Sequence, residues 1–273
     1  MALSFAACSS SSDDDNTTVY EAIPSNFFQS KDSIHQYAIT TDYIYKYTKK
    51  GTDKVWKKPV TIPAPVIVDL GYGEKKTIEY SNIGLLLESD NYLFTYLWAY
   101  YESKVDNPFD VNRLDDFIGV YSSDGDFIKN VSFKKYFLYP VLIEMNKKMF
   151  VLADGSVYKK GFTIFNDKLE VIESNNDMEV AFYDKSKFIN NKTYISYDDN
   201  SFVLGDLDHG VKRFDISQFV KEQYPNEANQ PKYVISDATI TDNIVNIKIN
   251  LTFYDGKKGT TIAKVDINTK EIN

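Results

Sequence analysis

Tyr92-Leu93-Phe94-Thr95-Tyr96-Leu97-Trp98-Ala99-Tyr100-Tyr101 is the most apolar run in the chain. Ten residues are too few to cross a bilayer as a helix, which needs about 20. The run is rich in aromatic residues and short, which fits a strand buried on both faces.

The surrounding sequence repeats the theme. Phe117 to Tyr121 and Phe127 to Phe133 flank Ser122-Ser123-Asp124-Gly125-Asp126. Asp-Gly between two strands favours a tight hairpin, because glycine accepts positive φ at little cost. Phe162-Thr163-Ile164-Phe165 turns at Asn166-Asp167-Lys168 into Leu169 to Ile172. Ser201 to Leu204 turns through residues 205–210 into Val211 to Phe214, and Ile262 to Ile267 turns at Asn268-Thr269-Lys270 before Ile272. Upstream, Tyr43 to Tyr47 and Val55-Trp56 read as strands, and Pro59, Pro63 and Pro65 mark an edge or a connection. The 21 Tyr and 18 Phe, against 12 Gly and 8 Pro, agree with a pleated architecture.

Strand openings at Tyr92, Phe150, Tyr194 and Val245 are spaced by 58, 44 and 51 residues. A loose period near 50 predicts a repeated antiparallel four-strand unit. That spacing resembles the blades of β-propellers, and residues 19–273 would make about five. The expected fold is therefore one all-β, propeller-like domain, with a β-sandwich as the alternative. Asp215 to Tyr224, followed by Pro225, breaks the rhythm. Asp215 or Ser217 could cap a short helix there, so residues 215–232 read as an insertion. Residues 102–116 read as a second polar connection.

The N-terminus reads as an address. Ala6 and Ala7 stand directly before Cys8, after Leu3 and Phe5. Ser9 to Ser12, Asp13 to Asp15, Asn16, Thr17 and Thr18 follow. Such a run cannot bury enough apolar surface to fold. The pattern resembles the lipobox of bacterial lipoproteins, and the Ser/Asp run resembles the surface-export signal of Bacteroidetes lipoproteins. The resemblance implies acylation of Cys8, with residues 1–7 the remnant of a signal peptide and 8–18 a flexible tether. It also implies a cell-envelope location on the outer membrane, exposed at the surface. Seven residues are short for a leader and none is basic, so this reading places the true start upstream. Asp32-Ser33-Ile34 resembles the O-glycosylation site of exported Bacteroidetes proteins and implicates Ser33.

Chemistry is harder to find. One Cys and two His, His35 and His209, offer no zinc pattern, no internal disulfide and little histidine-based catalysis. Gly71-Tyr72-Gly73 lacks the length and the Lys of a phosphate loop, and no Gly-x-Ser-x-Gly elbow occurs. The net charge of −8 disfavours nucleic acid as a partner. No cofactor and no metal are expected. The pairs Asp124/Asp126, Asp198/Asp199 and Asp206/Asp208 read as ordinary turn residues. Asp69, Glu88, Asp90 and Glu144 sit beside strands and are the first carboxylates to inspect for glycoside chemistry. Trp56, Tyr100 and Tyr101 are the candidate ligand-binding aromatics. The expected role is a non-enzymatic binding or scaffold module for a glycan, a peptide or an envelope partner, held to the membrane through Cys8. The alternatives are a glycoside-active enzyme and a structural subunit of an envelope complex.

Overall fold

The computed structural model describes residues 27–49, 53–102, 111–133, 139–154, 160–183, 185–226 and 230–273. Residues 1–26, with Cys8 and the segment 8–18 expected to form a tether, lie outside the described residues, as do most of residues 102–116. Nearly all the regular structure is strand, in antiparallel sheets of two to four members.

Five sheets follow one another along the chain. The first contains β1 (Phe27–Gln29), β2 (His35–Ile39), β3 (Tyr43–Thr48) and β4 (Lys54–Pro59). A hairpin of β5 (Val66–Gly71) and β6 (Glu74–Ile78) intervenes. The second sheet contains β7 (Ser81–Glu88), β8 (Tyr92–Trp98), β11 (Phe117–Ser122) and β12 (Phe127–Ser132). Between β8 and β11 the chain makes another small pair, β9 (Tyr100–Glu102) and β10 (Val111–Arg113). The third sheet is β13 (Pro140–Asn146), β14 (Met149–Asp154), β15 (Phe162–Asn166) and β16 (Val171–Asn175). The fourth is β17 (Lys185–Phe188), β18 (Thr193–Tyr197), β19 (Phe202–Asp206) and β20 (Gly210–Phe214). Helix α1 (Ile216–Gln223) leads to the fifth sheet, β21 (Lys232–Thr241), β22 (Ile244–Thr252) and β23 (Lys258–Asp266). In the fifth sheet a bridge from Val265 to Ile272 begins a fourth row.

A separate apolar core lies between each pair of successive sheets. Tyr37 and Ile44 of the first meet Leu93 and Tyr121 of the second. Phe94, Tyr96, Ile118 and Val120 meet Leu142, Phe150, Leu152 and Phe165 of the third. Val151, Phe162 and Ile164 meet Phe188 and Tyr194 of the fourth. Ile195, Phe202 and Leu204 meet Val245, Ile247 and Ile249 of the fifth, with Phe219 and Val220 of α1 added. The inner strand β13 neighbours both β7 and β17. Five sheets packed face to face in sequence, with inner strands gathered together, are a β-propeller-like arrangement of about five blades. A two-sheet sandwich has no place for them.

β8 shows the logic. Leu93 faces the first sheet, while Phe94 and Tyr96 face the third. Leu93, Phe94, Thr95, Tyr96 and Leu97 are all buried. The apolar run does not continue as one strand, however. It breaks at Ala99, and Tyr100 starts β9. The second hairpin turns as its Asp-Gly predicts, with Gly125 at φ +81°. Asp215 caps α1 by accepting from the Gln218 amide at 2.8 Å. Among the described residues no helix is long and apolar enough to span a membrane.

The two ends of this arrangement differ. At one end lie short turns, pinned by side chains that accept from nearby amides. Asn190 accepts from Lys192 and Thr193, and Asp206 accepts from Asp208 and His209. At the other end lie the β5–β6 hairpin, the β9–β10 pair and α1. The two hairpin arms share a small core of Val68, Leu70, Ile78, Tyr80 and Ala99.

Candidate functional site

Strand pairing leaves one edge of each inner strand without a partner in its sheet. β7 pairs only with β8, β13 only with β14, and β17 only with β18. Their free edges border a cavity of about 580 Å³. Its walls are Leu85, Leu86 and Leu87 of β7 and Pro140 to Ile143 of β13, with Phe182, Tyr183 and Ser186 on the third side.

Lys31 and Glu144 line the cavity where it approaches the short-turn end. Lys31 sits in the β1–β2 turn, and its Nζ donates to Glu144 Oε2 at 2.8 Å. The Lys31 amide donates to Glu88 Oε2 at 2.6 Å. Ser30 Oγ and Tyr37 Oη donate to Glu88 Oε1 at 2.9 and 3.0 Å. Glu88 thereby ties the first blade to the second, and Lys31 ties both to the third. Burial, the negative charge of Glu88 and its hydrogen bond push the Tyr37 phenol well above its ordinary range. Tyr37 therefore stays a neutral donor.

The turn itself is stiff. Asp32 accepts from the amides of Ile34 and His35, each at 2.9 Å, and meets His35 Nδ1 at 2.6 Å. Desolvation opposes the Asp32 charge. The His35 ring and the two amides outweigh it and hold the carboxyl well below the usual carboxylate range. Ser33 lies exposed in this turn with φ +61°.

Of the four carboxylates singled out from the sequence, Glu88 and Glu144 come together around Lys31. Asp69 lies in the β5–β6 arm, where it accepts from the Gly71 amide. Asp90 lies in the β7–β8 turn, 3.8 Å from Lys147 Nζ. Neither Glu88 nor Glu144 is unengaged: one takes three hydrogen bonds and the other an ammonium. Among the described residues no group of three or more His, Cys, Asp or Glu is placed to hold a metal ion.

The aromatic residues are dispersed. Trp56 is half-buried between the first two blades, with its ring 6.0 Å from that of Tyr37. Tyr100 is exposed in the β9–β10 pair, 5.7 Å from the Trp98 ring. Tyr101 packs against the core of the two arms. None of the three lines the cavity. Lys31, Tyr183 and Ser186 do, and sequence reading passed over them. Lys31 in Ser30-Lys31-Asp32 carries no local signal, since a lysine beside an aspartate reads as a solvated turn.

No family model matches the chain, and no curated protein is similar to it in sequence. Similar solved structures exist, all at low identity. Virginiamycin B lyase from Staphylococcus aureus is 12% identical over 90% of this chain and 82% of its own, with a TM-score of 0.37. The SREBP–SCAP binding domains of fission yeast are 8% identical over 90% of this chain and 64% of theirs, at 0.39. A protein of unknown function from Bacteroides caccae is 11% identical over 83% of this chain and 93% of its own, at 0.27. The fold assignment rests on sheet order and on the cores between sheets, and these likenesses add nothing about activity.

Proposed function

We propose that this chain is a lipid-anchored, non-enzymatic binding module of a bacterial cell envelope, taking its ligand in the cavity between the inner strands. The observation that carries the binding part is the state of the two carboxylates gathered around Lys31, of which Glu144 lines the cavity. A glycoside hydrolase needs one free acid and one free base facing the scissile bond. Here Glu88 is saturated by Ser30, Lys31 and Tyr37, and Glu144 is neutralised by Lys31. What remains is a recess of a size that suits a small ligand, for which about 300–1,000 Å³ is usual. Anchoring rests on Ala6-Ala7-Cys8 and the polar run after it. A triacylated Cys8 would hold the domain firmly, because several chains bind where one does not.

Two measurements test the two parts. Radiolabelled palmitate fed to the producing cells should label the protein, and Cys8→Ala should abolish the label. An unlabelled native protein ends the anchoring claim. A Val141→Trp substitution fills the cavity. Any glycan or envelope protein retained by the wild type should then be lost. Retention unchanged by that substitution would move the binding site elsewhere.

A further inference from the structure

Lys31 itself points to the ligand chemistry. At the cavity floor the Lys31 ammonium meets one carboxylate, that of Glu144, while Glu88 holds the Lys31 backbone amide from outside the lining. The Lys31 side chain is 48% exposed, whereas that of Glu144 is 21% exposed on β13. The lysine is therefore the partner able to swing away on its flexible stem, leaving the strand-borne carboxylate in place. Above the floor the walls that β7 and β13 supply are aliphatic. Their main polar groups are the edges of β7 and β13, which lack a second strand partner among the described residues. Backbone edges repeat along Pro140 to Glu144 over roughly 16 Å, and an extended chain matches that repeat. A sugar would instead want several aromatic plates and side-chain forks, and the cavity offers only Phe182 and Tyr183 as rings.

We propose that the cavity binds an extended peptide led by a basic group, and that Lys31 is the chain's own stand-in for that group, seated on Glu144 until the ligand displaces it. This rests on the cavity reading above. The consequence runs against a simple contact argument. Removing Lys31 strengthens binding, because the incoming cation no longer competes with an internal one.

The test uses the full 273-residue chain and three pentapeptide libraries that differ in one fixed residue, Lys, Gln or Glu. The Lys library should be retained, and the best peptide from it titrated by calorimetry. Lys31→Ala should tighten its Kd by about tenfold, and Glu144→Gln should weaken it by a similar factor. Retention of the Gln or Glu library to the same extent, retention of none, or a weaker Kd in Lys31→Ala overturns the proposal. If Lys31→Ala does not fold, Lys31→Gln keeps the stem and removes the charge. A second readout uses butylammonium alone. It should raise the melting temperature of Lys31→Ala and leave the wild type and the Lys31→Ala/Glu144→Gln double variant unmoved. No rise in Lys31→Ala counts against the self-ligand. Val141→Trp separates the two levels. A glycan bound by the wild type and lost in Val141→Trp overturns the peptide while the cavity reading stands. Binding indifferent to Val141→Trp overturns both.

Discussion

The ring of Tyr194 on β18 lies directly over Gly205, its cross-strand partner on β19. A Cβ on Gly205 would stand well inside van der Waals contact with that ring. Tyr194 is fully buried, and its Oη accepts from the Ala181 amide at 3.0 Å. The absence of a side chain at one position thus makes room for the aromatic at the other.

Gly205→Ala should therefore be among the most damaging small substitutions. Neither the buried ring nor the central strand can retreat, so overpacking should cost about 3 kcal/mol. Urea denaturation would show it as a lower midpoint at unchanged slope. A loss under about 0.5 kcal/mol, the size of an ordinary surface change, would mean that the ring has another place to go.

Tyr194 also predicts an alkaline limit. Burial is the main cause of its raised pKa, and the hydrogen bond from Ala181 opposes it. Its hydroxyl is pushed up to about 12, from an ordinary value of 10.0. The folded state keeps the proton while the unfolded chain releases it. Its contribution is complete below pH 10 and declines towards pH 12, about 3 kcal/mol in all. Stability measured from pH 9 to 12 should fall, and Tyr194→Phe should flatten that fall while costing stability at pH 7, where it strands the Ala181 amide.

Glu88 should behave as a structural hub. Glu88→Ala leaves the Lys31 amide and the Tyr37 hydroxyl without their acceptor. Stranding such groups should cost about 2–3 kcal/mol. Glu88→Gln keeps one acceptor oxygen and should cost less. Equal losses for the two substitutions would place the effect in packing and not in hydrogen bonding.

Asp32 has the opposite sign to Tyr194. Its folded pKa is depressed, so its contribution is present above the ordinary aspartate value of 3.8 and is lost as pH falls below it. The stability gap between wild type and Asp32→Asn should be full at pH 6 and should narrow steadily below pH 4. A gap that stays constant from pH 6 to pH 2 would show that the charge plays no part in the turn.

Much of the fold was legible because its causes are local. The Asp-Gly at Asp124-Gly125 announces a hairpin, and Asp215 with Pro225 brackets a helix, which runs from Ile216 to Gln223. The openings at Tyr92, Phe150, Tyr194 and Val245 all fall in the second strand of a sheet. The break at Ala99 was not legible, because Trp98 and Tyr100 are equally apolar and only the switch of strand partner separates them. Among the site residues, Glu88 and Glu144 stood out as strand-end acids, but so did Asp69 and Asp90, and nothing nearby in the chain ranks them.

By itself the sequence determined the strand content, the hairpin positions and the approximate repeat. Alternation, turn chemistry and composition act between near neighbours, so they survive in one dimension. Tertiary structure alone decided that Lys31 meets Glu144 across 113 positions and that three inner strands leave a cavity between their edges. That meeting depends on how whole sheets stack, and stacking is fixed by the cores between them, to which no single stretch of chain contributes both sides.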